Sequence, residues 1–125
     1  MTSKPRLATS ADVDGVRRVV EAAYSHYVMR LGRRPAPMDA DYQAAVAAGR
    51  TWVLGDAEVW AVLVLVPAAD HLPIENVAVL PACQGQGLGR RLLAFAEQRA
   101  RTAGGPAVYQ PAHDREPGVV SAAGL

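Results

Sequence analysis

Residues 74–100 read IENVAVLPACQGQGLGRRLLAFAEQRA, and the succession of residue types in this stretch decides the fold. Ile74 to Leu80 is apolar and β-branched enough for a strand. Its alternation puts Glu75, Val77 and Val79 on one face and Ile74, Asn76, Ala78 and Leu80 on the other, provided no bulge intervenes. Pro81 ends the ladder, because it has no N–H and holds Leu80 extended. Gly85, Gly87 and Gly89 then allow a compact turn into a helix that begins near Gly87, with Leu88, Leu92, Phe95 or Ala96, and Arg99 at helical spacing. Backbone N–H groups of the turn converge with the unsatisfied N–H groups and positive dipole of the helix start. The physical consequence is an anion pocket suited to the pyrophosphate of a nucleotide-like cofactor. Arg90 and Arg91 lie in the first turn, where the dipole disfavours cations. Arg90 is the better candidate for a phosphate contact, and plain solvation is the competing reading.

Working upstream, Thr51–Leu54 and Glu58–Val66 have strand composition, with Gly55, Asp56 and Ala57 as a tight reversal between them. The second run is apolar throughout and predicts a central strand. Pro67–Pro73 is a connection. Nearer the N-terminus, Arg6–Ala8 predicts a short edge strand, and Thr9 or Ser10 caps a helix whose apolar face is Val13, Val16, Val20 and Tyr24. That helix runs to about Met29. Gly32, Pro35 and Pro37 separate it from a second helix over about Asp39–Ala48. Tyr24 and Tyr27, with nearby His26, could line a substrate groove, while packing into the core explains Tyr24 equally well. Downstream, Gly104–Gly105 stops the cofactor helix, and Pro106–Gln110 predicts a fifth strand.

The 125 residues make one domain, 1–125, in which 111–125 reads as an irregular tail rich in Pro and Gly. Thirteen basic residues against twelve acidic ones give a net charge of +1, with no basic block that would argue for nucleic acid or an anionic membrane. The longest apolar stretch, Val59–Ala69, is too short to span a bilayer and contains Pro67, and the N-terminal residues lack an apolar leader core, so a cytoplasmic protein is expected. Cys83 is the single cysteine, and His26, His71 and His113 are scattered, so no metal site is expected.

The turn lacks the Lys-Ser/Thr of a P-loop, and it lies too late in the chain for a dinucleotide-binding fingerprint. The sequence instead resembles the GCN5-related N-acetyltransferase superfamily. Gln84, Gly87 and Gly89 match that family's Gln/Arg-x-x-Gly-x-Gly/Ala motif, and ENVAVLP resembles its cofactor-binding strand. The resemblance covers about residues 5–110. It implies an α/β fold, GNAT-like, with a mixed central sheet and flanking helices, shortened at the C-terminus because PAHDREPGVVSAAGL does not resemble the usual final helix and strands.

For function, the resemblance implies N-acetylation of a primary amine, such as a small amine or a peptide N-terminus, by direct attack on acetyl-CoA. The backbone of Val77, Ala78 and Val79 would hold the pantetheine arm. The turn of Gln84, Gly85, Gln86, Gly87, Leu88 and Gly89, with Arg90, would hold the pyrophosphate. Val77 N–H is the expected oxyanion donor and Glu75 the expected proton acceptor, with His71 and Asn76 as weaker alternatives. Tyr24, Tyr27 and Asn76 are the expected acceptor-binding side chains, and Cys83 is read as a packing residue rather than an acyl carrier. The missing terminal elements also predict exposed sheet edges and a possible homodimer. A non-catalytic acyl-CoA-binding or regulatory protein derived from such an enzyme is the alternative reading, with a structural fragment ranked below it.

Overall fold

The structure, a computed structural model, describes residues 4–32 and 36–109; the expected tail 111–125 lies outside them. Among the described residues, five strands form one sheet in sequential order: β1 (Arg6–Leu7), β2 (Thr51–Leu54), β3 (Ala61–Leu65), β4 (Leu72–Val79) and β5 (Ala107–Tyr109). Neighbours from β1 to β4 are antiparallel. β4 and β5 are parallel, as the crossover through an intervening helix requires. The expected mixed sheet is therefore present.

Two helices cover one face and a third covers the other. α1 (Val13–Leu31) begins after a single 3-10 turn at Ser10–Asp12, and α2 (Tyr42–Ala47) is capped by Asp41, whose carboxylate accepts from Ala44 N–H at 3.0 Å. Val16, Val19, Val20, Ala23 and Tyr24 of α1 pack with Val46 of α2 onto Val53, Val62, Val64 and Ala78 of the sheet. On the opposite face α3 (Leu88–Ala103) buries Leu88, Leu92, Ala96 and Ala100 against Leu54, Leu63, Val77 and Val79. Full burial of a side chain such as Leu92 contributes about 2 kcal/mol. Arg99, expected on the apolar stripe, is exposed and stacks its guanidinium 4.5 Å from the centre of the Trp52 ring.

Four boundaries differ from expectation. β3 begins at Ala61 rather than Glu58, because the chain from Gly55 to Trp60 forms a loop closed by Trp60 N–H on Leu54 O at 2.8 Å. Gly55 adopts φ +138°, and a Cβ there would lie 2.0 Å from Glu58 O, so the reversal needs glycine. α1 extends two residues past Met29, and a 3-10 turn at Ala36–Asp39 precedes α2 where a continuous helix from Asp39 is expected.

The difference at β4 matters most. β4 begins at Leu72, and its register on β3 skips a residue: Val64 pairs with Asn76, whereas Leu65 pairs with Ile74. Glu75 is the extra residue of a β-bulge. The simple alternation predicted from sequence fails there, and Ile74 joins Val77 and Val79 on the α3 face instead of sharing a face with Asn76 and Ala78.

Candidate functional site

The glycine turn has the geometry its composition predicts. Gly85 and Gly87 have φ of +84° and +81°, a left-handed conformation that other residues adopt only with strain, and Gly87 caps α3. The approach is closed by Cys83 N–H on Leu80 O at 2.8 Å and Gln84 N–H on Pro81 O at 3.3 Å. The next backbone bond is Arg91 N–H on Gly87 O at 3.1 Å. Leu88, Gly89 and Arg90 therefore have no intrahelical acceptor for their N–H groups, and none of these groups has a backbone partner among the described residues. A Cβ built at Gly85 or Gly87 would meet nothing within 4 Å, so the space over the turn is open. Acceptor-seeking donors under open space at a 16-residue helix start fit a pyrophosphate. Gln86 and Arg90 are exposed beside them.

The strand leading to the turn has one edge that no described strand pairs beyond Ile74, although Val77 and Val79 themselves are buried. Leu80 N–H bonds Trp60 O at 2.9 Å, so the two-residue period of an antiparallel ladder turns the peptide groups of Asn76 and Ala78 toward β3. Those of Val77 and Val79 turn the other way. β5 pairs only with Leu72, Pro73 and Ile74, and no described strand covers the edge beyond. The Val79 carbonyl on that edge accepts from Gln84 Nε2 at 3.2 Å, which ties the turn to the strand end.

On the other face Asn76 meets two buried tyrosines. Asn76 Oδ1 accepts from the Tyr24 hydroxyl at 2.7 Å, and Asn76 Nδ2 donates to the Tyr42 hydroxyl at 2.8 Å. Tyr42 in turn donates to Pro37 O at 2.5 Å. Tyr24, Asn76 and Tyr42 are all buried, so Tyr24 and Asn76, expected in an acceptor groove, serve as core partners of one another. Burial pushes the Tyr42 phenol well above the usual range, the Asn76 hydrogen bond opposes this, and the charges of Glu75 and then Glu21 reinforce it. Half-buried Glu75 is near enough for its charge to act on Tyr42, and the bulge breaks the alternation that would put it with Val77 and Val79. The side chain of Tyr27 lies outside the described set.

Tyr42 is the residue that sequence reasoning missed. Its partner is 34 positions away, and helical spacing alone carries no sign of such a bond. Cys83 packs partly buried against the α3-side core, in keeping with a packing role. His71 bonds Asp70 through Nδ1 at 2.7 Å, where β4 begins, at the opposite end of the strand from the turn. That hydrogen bond holds the exposed Asp70 carboxyl below the usual carboxylate range. The depression lined by Ala8, Thr9, Val13, Arg17, Gln43 and Val46, between α1 and α2, includes none of the expected site residues. No group of three or more metal-ligating side chains occurs among the described residues, and no described helix is long and apolar enough to cross a membrane.

Comparison with known proteins places this geometry. Residues 17–117 match the model of the acetyltransferase (GNAT) family. Among solved structures, a tetramutant of the BH1408 protein from Bacillus halodurans aligns with a TM-score of 0.68 at 20% identity, covering 90% of this chain and 85% of that one. The PaiA N-acetyltransferase from Thermoplasma acidophilum, in complex with coenzyme A, gives 0.68 at 12% identity, over 82% of this chain and 74% of that one. The N-acetylglutamate synthase from Neisseria gonorrhoeae, complexed with coenzyme A and N-acetyl-glutamate, gives 0.60 at 23% identity, over 82% of this chain and 23% of that one. Identities this low speak for the fold alone. No curated protein matches. The strand edge of Val77 and Val79, the glycine turn and the helix behind it all lie within the matched residues, which span most of the sequence, and the chain belongs to the acetyltransferase (GNAT) family.

Proposed function

We propose that this chain transfers an acetyl group from acetyl-CoA to a primary amine, either a small amine or a peptide N-terminus, by direct attack. One observation carries the reading: the outward edge of Val77 and Val79 leads into a turn whose Leu88, Gly89 and Arg90 N–H groups have no backbone acceptor. That edge suits the amides of a pantetheine arm, and the turn suits the pyrophosphate attached to it. Bound acetyl-CoA supplies the activated thioester.

The chain's own residues do the rest. Val77 N–H donates to the carbonyl oxygen as charge develops there, and the fixed strand backbone requires no reorganisation to do so. The amine nitrogen forms the new C–N bond, the C–S bond breaks, and the amine proton passes to the Glu75 carboxylate directly or through water before reaching the departing thiolate or solvent. Arg90, exposed at the first turn of α3, adds a cation near the phosphates. Leu7, nearly half exposed at the β1 edge, supports association of two copies; light scattering at micromolar concentration that gives a monomer would remove that part.

Calorimetry with acetyl-CoA followed by thiol release against an amine panel tests the reading. Binding with turnover is expected. Binding without thiol release would leave a non-catalytic acyl-CoA binder, and absence of binding would remove both. Glu75→Gln is expected to lower kcat at least tenfold with little change in acetyl-CoA affinity; an unaltered pH–rate profile would take Glu75 out of proton transfer.

A further inference from the structure

The chain of hydrogen bonds through Asn76 has only one consistent direction. Pro37 O can only accept, so the Tyr42 proton points to it at 2.5 Å, and Tyr42 Oη must then accept from Asn76. The Asn76 Nδ2 amide is thereby fixed on Tyr42, and Oδ1 is left facing the Tyr24 hydroxyl at 2.7 Å. Three separate pieces of chain meet at this one side chain: α1 through Tyr24, the turn Ala36–Asp39 through Pro37, and α2 through Tyr42. Burial keeps the Tyr42 phenol protonated far above neutrality, so its donation to Pro37 O persists across the working pH range.

Asn76 sits between the two groups to which the acyl-transfer reading gives a chemical role. Glu75, the bulged residue, precedes it, and Val77, whose peptide turns away from β3, follows it. A bulge residue has no opposite partner in the ladder to fix it, so its orientation depends on what holds its neighbours. We infer that Asn76 is a positioning residue for the acyl-transfer site, its amide clamped by Tyr24 and Tyr42 so that the bulge aims the Glu75 carboxylate and the Val77 N–H. This rests on the reading above. The clamp touches neither the glycine turn nor the Gln84–Val79 bond, so it acts on the chemical step and leaves cofactor affinity alone.

Tyr42→Phe keeps the ring and removes the hydroxyl, leaving Asn76 Nδ2 and Pro37 O without each other's bridge. The expected result is a fall in kcat of at least tenfold, with the KM for acetyl-CoA and the calorimetric Kd changed by less than twofold. Tyr24→Phe, which breaks only the Oδ1 side, is expected to lower kcat by a smaller factor and serves as the second variant if Tyr42→Phe does not fold. Val46→Ala, in the same helix as Tyr42 and part of the same core, is the structural control and is expected to lower Tm with kcat preserved. Hydrogen exchange reads the clamp without turnover: the Asn76 and Ala78 amides, whose peptides pair with β3 next to the bulge, should exchange faster in the clamp variants, while Leu88–Arg90 are unchanged. A kcat within twofold of wild type in the clamp variants, or an equal fall in Val46→Ala, overturns the inference. Wild-type protein that binds no acetyl-CoA removes the acyl-transfer reading instead. Exchange at Asn76 and Ala78 then still decides the clamp, and unchanged exchange there overturns it.

Discussion

Gln84 donates from its side-chain amide to the main-chain carbonyl of Val79 at 3.2 Å, joining the first residue of the glycine turn to the last residue of β4. This bond uses the side chain to set the angle between the strand end and the helix start. Gln84→Glu sets an acceptor against an acceptor and adds a negative charge near the proposed phosphate site. Acetyl-CoA affinity should fall about tenfold, equivalent to about 1.4 kcal/mol, whereas Gln84→Ala should lose less. Calorimetry on both variants is the check, and equal affinity in Gln84→Glu would show that the bond sets nothing the ligand uses.

Gly87 separates two effects that substitution at a turn often mixes. Its φ of +81° makes alanine costly by about 1 kcal/mol, yet a Cβ there would touch nothing within 4 Å. Gly87→Ala should therefore lower Tm by a few degrees. Gly87→Trp fills the open space instead and should abolish acetyl-CoA binding in a folded protein, as circular dichroism and calorimetry together would report. Retained affinity in a folded Gly87→Trp protein would move the phosphate site elsewhere.

The Asp12 carboxylate anchors the edge strand. It accepts from Arg6 Nη1 at 2.8 Å and from Thr9 N–H at 2.8 Å, and chiefly the Arg6 hydrogen bond pulls its pKa from 3.8 down to about 2. A depressed folded-state pKa stabilises the protein above the unfolded value, and that stabilisation is lost as pH falls from about 4 through about 2. Arg6 is 43% exposed, so solvent screening reduces the contribution to about 1 kcal/mol. Asp12→Asn should be less stable than wild type by that amount at pH 7, with the difference closing below pH 4 in denaturant titrations. A difference independent of pH would assign the effect to something other than this charge.

Two glycines with positive φ should respond very differently to alanine. At Gly49, with φ +72°, a Cβ meets nothing within 4 Å, so only backbone strain of about 1 kcal/mol is expected. At Gly55 the same atom would lie 2.0 Å from Glu58 O, and the β2–β3 loop must shift, for a loss of about 3 kcal/mol. Urea midpoints of the two variants should differ accordingly, and similar midpoints would mean that the loop yields freely.

The strand, turn and helix from Ile74 to Ala100 were legible because each boundary has a local chemical sign. Pro81 stops the ladder, Gly85 and Gly87 take conformations that other residues resist, and Leu88, Leu92 and Ala96 repeat with the helix. The bulge left no such sign. Ile74 is apolar and is buried on either face, so an extra residue at Glu75 changes its face without changing what the sequence demands of it. Tyr24 likewise met a requirement for an apolar helix face that conceals its hydroxyl's role, and its bond to Asn76 spans 52 positions. The boundary at Ala61 was hidden for a related reason: Val59 is as buried as a strand residue while standing in the loop.

Because β4 changes phase at Glu75, its backbone behaves as two short strands joined by a one-residue spacer. Leu72 and Ile74 answer to α3 and β5, and Asn76 and Ala78 answer to α1 and α2. Loss of that single spacer would leave composition almost unaltered, yet it would rotate Leu72 and Ile74 out of one hydrophobic layer and into the other. At this point in the chain, length constrains the molecule more tightly than identity does.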